Sequence, residues 1–325
     1  PGYNVKKIIW DSYPEMKTAS GNRYPEVETL IKEQMQIGAL IMDYTGHGAR
    51  YMLSHEQVLR TSHFQGWSSP RLPLWITAAC DVAPFDMNTE NIGCEALLNK
   101  QGCAKGFIGT ARTVYSSNNR TLNRNFMSHV LATKQNGEPY TIGEALAKAK
   151  ADIIDAAIER GYYQPHDSIN KVHFVLLGDP AIRLITPTYS VQIDKINNQD
   201  IDPAQPTTIS AGEIVTVEGH IVDTEGNIAS DFNGLVSPTI YDNEEHIVSR
   251  NNAGDIETDP FEYDDHTRSI YAGTDSIKSG KFTFTFPVPI DINYSDEKGL
   301  MLLYAINHTK TIEAQNKFDD FLIRS

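Results

Sequence analysis

Along the first 185 residues the spacing of apolar positions switches repeatedly between the helical and the extended period. "YPEVETLIKEQMQIG" (24–38) carries apolar residues at helical spacing and closes on Gly38, which predicts a helix with a glycine stop. "ALIMDYTGHG" follows as a strand and turn, and "SHEQVLR" (54–60) reads as a short helix with Ser54 as its N-cap. "LPLWITAAC" predicts a second strand, "NIGCEALLNKQG" a helix ending at Gly102, and "AKGFIGTAR" (104–112) a third strand. "RTLNRNFMSHVLATKQNG" predicts a helix stopped by Asn136-Gly137. Thr141 and Glu144 form a capping box for the long helix "TIGEALAKAKADIIDAAIERG". "KVHFVLLGDPAIRLITP" (171–187) gives a fourth strand, broken at Gly178-Asp179-Pro180. Strands that alternate with helices argue for an α/β domain with a mostly parallel sheet covered on both faces.

From about Thr188 the helical period disappears. "EIVTVEGHIVD" (213–223) and "GKFTFTFPVP" (280–289) alternate apolar and polar residues, with Phe282, Phe284 and Phe286 on one face. Turn signals at Glu225-Gly226-Asn227 and Asn233-Gly234 separate such runs. This pattern predicts an all-β, Ig-like sandwich over 188–325, behind an α/β domain over 1–187. The acidic stretch "NNAGDIETDPFEYDDHTRS" (251–269) reads as a long loop.

Composition narrows the function classes. A chain of 325 residues, 40% hydrophobic and 22% charged, accommodates two folded domains. A formal charge of -14 excludes a nucleic-acid surface, which needs a basic stripe. No apolar run is long enough for a membrane-spanning helix. The chain opens on Pro1, without an initiator methionine and in what reads as mid-domain, so it is expected to be a fragment and the absence of a targeting signal carries no weight. Cys80, Cys94 and Cys103 make no disulfide framework and no metal spacing; a Cys94–Cys103 bridge stays open beside the reading of both as small buried apolar groups.

The candidate chemistry sits where two apolar runs end. His47 and Cys80 each lie just past a strand, on strands adjacent in sequence order, and side chains that do chemistry in a parallel sheet collect at such carboxyl ends. A histidine beside a cysteine takes its proton or protonates the leaving amine, which makes thiol nucleophilic catalysis the chemistry to expect. Gly46 and Gly48 allow a sharp turn and close approach of a substrate backbone, and the N–H groups of Gly48 and Cys80 are candidate oxyanion donors. Asp43 and Asp81 are candidates to orient the histidine or to meet a basic substrate group, and Trp67, in the polar "FQGWSSPR" loop, is a candidate substrate contact. Trp75 reads as core. His55 and His63 lack metal-like partners at useful spacing. "GDP" (178–180) lacks the Lys-Ser/Thr of a phosphate loop. "DNEEH" (242–246) and "EYDDH" (262–266) are candidate Ca²⁺ carboxylates without EF-hand spacing, for which a solvated acidic loop is the simpler reading. No cofactor is expected.

"YTGHG", followed 33 residues after its histidine by the cysteine of "ITAACD", resembles the gingipain family (C25) of caspase-like cysteine peptidases. "GFIGTARTVYSSNNRTLNRNF", "TIGEALAKAK" and "FVLLGDPAIRL" extend the likeness through the first domain. "DFNGLVSPTIYD" (231–242) and "GKFTFTFPVPIDINY" (280–294) resemble the stretch behind the catalytic domain in sortases of the bacterial type IX secretion system. The resemblance implies His47 in the family's histidine role, Cys80 as nucleophile and Gly48 as an oxyanion donor. It implies an enzyme on the bacterial cell surface, at the extracellular face of the outer membrane. Such an enzyme removes C-terminal sorting domains from secreted cargo and passes the cargo to an amine of anionic lipopolysaccharide, in company with outer-membrane secretion components. Cys80 is followed by "DVAPFD", where gingipains differ, so no pocket residue is transferred. By the same likeness, residues upstream of the catalytic strands contribute to such sites and are expected before Pro1 or within the first few residues, so the carboxylate that orients His47 is expected to be missing and the fragment alone need not be active. A purely hydrolytic endopeptidase and a non-catalytic surface scaffold on a protease fold are the competing readings.

Overall fold

The computed structural model describes residues 3–184, 187–252, 254, 259–292 and 297–324. The chain falls into two compact units, one comprising Ile8–Ile185 with Arg250–Gly254, the other Pro1–Lys7, Thr186–Ser249 and Asp255–Ser325. A single cut near residue 187 therefore misses two excursions. The opening residues group with the second unit, and Arg250–Gly254 groups with the first, where the Asn251 and Asn252 N–H groups donate to the Asp11 carboxylate at 2.9 and 2.7 Å.

The α/β unit runs through a hairpin β1 (Met16–Thr18) and β2 (Gly21–Arg23), then α1 (Pro25–Ile37), β3 (Ile41–Thr45), and three short strands, β4 (Gly48–Ala49), β5 (Met52–Leu53) and β6 (Leu59–Arg60). It continues through α2 (Thr61–Gly66), β7 (Leu74–Ala78), α3 (Ile92–Leu98), β8 (Gly106–Thr110), α4 (Ser116–Val130), α5 (Ile142–Glu159), α6 (Pro165–His173) and β9 (Phe174–Leu177). Its main sheet has the order β3-β7-β8-β9, with β3, β7 and β8 parallel and β9 antiparallel. Every residue of β7 and β8 is buried, as a strand covered on both faces requires. Trp75 and Phe107 face a cluster with Val27, Ile31 and Met35 of α1 and Phe64 of α2. Leu74, Ile76, Ala78 and Ile108 face Leu122 and Phe126 of α4 and the apolar side of α5. Three layers result, with the sheet in the middle.

Several elements differ from the sequence expectation. Residues 54–60 form turns and β6, not a helix, because Ser54 (φ 64°) and Gln57 (φ 52°) adopt left-handed backbone. The Ser54 N–H donates to the His47 carbonyl (2.9 Å), and its buried Oγ has no hydrogen-bond partner among the described residues, so Ser54 caps nothing. Helix α3 stops at Leu98, short of Gly102. Helix α4 starts at Ser116 and ends at Val130, well before Asn136-Gly137. Lys171–His173 belong to α6, a helix that carries no apolar stripe. The capping box forms as expected, with Thr141 N–H on Glu144 Oε2 (2.9 Å) and Glu144 N–H on Thr141 Oγ1 (3.1 Å).

The all-β unit contains β10 (Tyr189–Ile196), β11 (Gln199–Asp200), β12 (Thr207–Ser210), β13 (Ile214–Val222), β14 (Gly234–Tyr241), β15 (Glu245–Val248) and β16 (Glu262–Asp265). Then come β17 (Ser269–Ala272), β18 (Asp275–Lys278), β19 (Lys281–Pro287), β20 (Leu300–Asn307), β21 (Glu313–Phe318) and β22 (Phe321–Arg324). The Ig-like sandwich expectation gives way here. The main strands belong to one sheet, ordered β11-β10-β13-β19-β18-β14-β20-β21, and β21 returns to pair with β10, so the sheet closes on itself like a barrel. Period-2 alternation is strict in β19, where Phe282, Phe284 and Phe286 point inward onto Val215, Val217, Ile240 and Met301. The stretch read as a loop over 251–269 contains β16, which pairs with β15; residues 253 and 255–258 lie outside the described residues.

Candidate active site

β3 and β7 pair in parallel from Ile41↔Leu74 to Thr45↔Ala78. Two residues past that last pair stand His47 and Cys80, so a common register delivers both to the same end of the sheet. The pairing extends one residue further, through the Gly46 N–H on the Ala78 carbonyl (3.4 Å). The two turns then touch at Gly48. A Cβ there would lie 2.8 Å from Ala79 Cβ, 2.8 Å from Val82 Cγ1 and 3.1 Å from the Cys80 carbonyl, so only glycine lets the turns close.

The His47 backbone is pinned by two donors to its carbonyl, the Tyr44 hydroxyl (2.7 Å) and the Ser54 N–H (2.9 Å). Its ring is exposed and stacks on His55, centroids 4.8 Å apart and planes within 15°. Among the described residues no carboxylate pairs with that ring. Asp43 accepts from Asn123 Nδ2 at 2.8 and 3.0 Å, and Asp81 accepts from the Thr113 hydroxyl at 2.9 Å. The orienting role anticipated for either carboxylate is therefore not made in this chain.

Cys80 is half-buried and its sulfur is gripped by one backbone unit. The Val114 N–H donates to Sγ (3.5 Å), and the thiol faces the Val114 carbonyl (3.6 Å). The following residue, Asp81, turns left-handed (φ 55°), which breaks the chain sharply away from the strand direction. Two backbone N–H groups at this corner stand outside the strand ladders. Ser54 N–H on His47 O makes 47 and 54 a hydrogen-bonded pair, so the next pair, Gly48↔Leu53, points its N–H groups away from each other. The Cys80 N–H has no acceptor among the described residues.

Asp43 is exposed, yet burial pushes its carboxyl up to about 6, against the lowering effect of the Asn123 amide. The exposure and the desolvation pull in opposite directions, and the exposed surface makes the direction of the shift the firm part. Trp67 is corrected outright. It is 7% exposed and packs on Phe64, Trp75 and His63 in the core, so it offers no surface to a substrate. Trp75 is core, at 2% exposure. Cys94 and Cys103 are free thiols, and burial raises the Cys103 thiol to about 12, which keeps it protonated and unreactive. Among the described residues no group of three or more His, Cys, Asp or Glu side chains is placed to hold a metal ion. The two acidic runs instead face each other across β15–β16, where His246 meets Asp264 (2.8 Å) and Glu262 (3.6 Å). Sequence reading missed Val114 and Thr113 entirely. Backbone groups leave no residue-type signal, though the "GTARTVY" run directly after a buried strand marks where a site loop would leave the sheet.

A mostly parallel sheet between two helical layers, with a thiol and an imidazole at adjacent strand ends, is the framework of a caspase-like cysteine peptidase. The chain belongs to peptidase family C25, whose model matches residues 1–185. It is similar to the dimeric latent PorU from Porphyromonas gingivalis, with 26% identity, 69% of this chain and 20% of that chain covered, and a TM-score of 0.39. It is also similar to the Arg-specific cysteine proteinase gingipain R, with 18% identity, 91% and 56% covered, and a TM-score of 0.43. A complex of Porphyromonas gingivalis RgpB pro- and mature domains gives 18% identity, 91% and 57% covered, and a TM-score of 0.42. The chain thus spans 20% of the PorU chain and 56% of the gingipain R chain. A search of curated proteins finds no match. No described helix is long and apolar enough to cross a membrane, which says nothing of a β-barrel.

Proposed function

We propose that this chain supplies the nucleophile-bearing part of a cysteine endopeptidase that works as a sortase. It cleaves C-terminal sorting domains from type IX-secreted cargo through a Cys80 thioester and transfers the cargo to an amine of anionic lipopolysaccharide. The observation that carries the reading is the shared register that brings His47 and Cys80 to one sheet end, where the N–H groups of Gly48 and Cys80 stand outside the strand ladders. Sγ attacks the scissile carbonyl, the S–C bond forms, and the oxyanion gathers on those two donors. His47 takes the thiol proton and gives it to the leaving amine as the C–N bond breaks. Water or an acceptor amine then resolves the thioester, with the same imidazole as base. Asp43 and Asp81, both exposed or half-exposed carboxylates near this end, are proposed contacts for a basic substrate group. The cell surface, at the outer face of the outer membrane, is the proposed location, with outer-membrane secretion components as partners.

The exposed His47 ring favours a second reading, hydrolysis, because water reaches the base without any closure. The decisive experiment incubates the full-length protein with cargo that bears its sorting domain, with and without an amine acceptor, and reads the new C-terminus by mass spectrometry. An amide supports transfer. Free acid throughout refutes transfer and leaves the peptidase standing, and an unchanged cleavage rate in Cys80→Ala leaves only the scaffold reading.

A further inference from the structure

The Val114 backbone that grips Cys80 is itself held by a buried side chain on a distant element. Asn170, on α6, is fully buried, at 0% exposure. Its Oδ1 accepts from the Tyr115 N–H (2.9 Å), and its Nδ2 donates both to the Tyr115 carbonyl (3.0 Å) and to Asn119 Oδ1 (2.8 Å). The amide thus clamps Tyr115 on both sides of its backbone. Asn119, also buried, passes the chain on, its Nδ2 donating to the carbonyl of Ala78 (3.4 Å), the last residue of β7.

These bonds close a ring. From Sγ of Cys80 it runs to Val114, along the backbone to Tyr115, through Asn170 and Asn119 to Ala78, and back along two residues to Cys80. Only hydrogen bonds and short stretches of backbone lie on it, and its one contribution from far along the chain is Asn170. A buried primary amide suits this place for a physical reason. It offers an acceptor and two donors in a single plane, so it satisfies a backbone N–H, a backbone C=O and a neighbouring amide together. A hydrophobic residue of the same size would strip the Tyr115 N–H and Asn119 Oδ1 of this partner and leave the Tyr115 carbonyl only its helical bond from the Asn119 N–H (3.0 Å), at a cost that natural interiors rarely carry. Helix α6 buries chiefly Asp167 and Asn170, so its docking is built on polar groups rather than on an apolar stripe.

We infer that Asn170 is a positioning residue for the nucleophile, fixing through Tyr115 and Asn119 the spacing between the Cys80 strand end and the Val114 backbone that holds its sulfur. The inference rests on the peptidase reading for its consequence in catalysis, but the geometry it asserts is measurable without any activity. A nucleophile displaced by about an ångström loses on the order of a hundredfold in rate, so a slackened ring is expected to lower turnover while leaving substrate binding largely intact.

The test compares the full-length wild type with Asn170→Asp, Asn170→Ala and Asn119→Asp. Asn170→Asp keeps the shape and removes both donors. Asn119→Asp keeps the acceptor that faces Asn170 and removes only the donor to Ala78. Two quantities are read on folded protein: kcat and KM on a peptide substrate, and amide-resolved hydrogen exchange at Val114. The expected result is a fall in kcat of about tenfold or more with KM within about twofold, together with at least tenfold faster exchange at Val114. A role in stability alone would lower Tm and leave both quantities at wild-type values. That result in any folded variant of Asn170, or in Asn119→Asp should the Asn170 variants fail to fold, overturns the inference. If the wild type proves to have no Cys80-dependent activity, the peptidase reading fails by itself, and exchange at Val114 still decides whether the ring exists.

Discussion

The two units bury strands in different ways, and the difference explains why the candidate chemistry is sought in one of them. In the α/β unit, β7 and β8 are buried along their whole length, so neither of their faces is left to meet a ligand. Anything reactive on them has to stand past the last paired residue, which is where Cys80 stands. In the all-β unit each strand spends alternate residues on the interior, and closure through β10–β21 leaves polar side chains spread around the outside. A covered parallel sheet concentrates function at an end; a closed antiparallel one distributes it over a surface.

The largest expected effects test the two cores separately. Phe284→Ala should cost the all-β unit about 3–5 kcal/mol and leave Cys80 reactivity per folded molecule unchanged. Trp67→Ala should cost the α/β unit a similar amount, about 3–5 kcal/mol, with KM unaltered. Chemical denaturation checks the stabilities and steady-state kinetics the rest; a raised KM for the Trp67 variant would restore its substrate role. Next in size is Gly48→Ala. The added methyl meets Ala79, Val82 and the Cys80 carbonyl, so the turns are forced apart, with about 1–3 kcal/mol lost in stability and roughly a hundredfold in kcat. Thr141→Ala removes the cap of α5 and should cost about 1 kcal/mol, read as a shift in Tm, without touching activity.

The smallest effect is a pH dependence. The Asp43 carboxyl is raised in the folded chain to about 6, above its ordinary value. Between these values the folded state holds a proton that the unfolded state has released. Stability therefore declines as pH rises through the interval and levels off above it. Because Asp43 keeps solvent contact, only the direction is predicted. Asn at this position should flatten the slope between about pH 4 and 6 and raise Tm at neutral pH, while a slope unchanged in Asp43→Asn would assign it elsewhere.

What was legible in the sequence followed the apolar period. The alternating Phe282, Phe284 and Phe286, the unbroken apolar run of β7 and the helical stripe of α1 all declared their elements. Closure of the β sheet was not legible, since the pairing of Tyr189 and Ser190 with Ala314 and Gln315 joins residues more than a hundred positions apart and leaves alternation unchanged. α6 was invisible because it buries Asp167 and Asn170, and the first turn of α4 because "SSNN" carries no apolar residue. The placement of His47 and Cys80 past adjacent strand ends was readable from position alone, whereas the Val114 grip was not, being made by backbone atoms that every residue owns. The supposed helix at 54–60 failed on Ser54 and Gln57, whose left-handed backbone is dictated by the hairpin that pins His47.

The central claim is that Cys80 is an activated thiol served by His47, and thiol alkylation at neutral pH tests it most directly. Peptide mapping after brief exposure to iodoacetamide should find Cys80 modified at least tenfold faster than half-buried Cys94 or buried Cys103, with the advantage lost in His47→Ala and peptidase activity falling in step with Cys80 labelling. Equal labelling of Cys80 and Cys94, or a Cys80 rate indifferent to His47, would contradict the account.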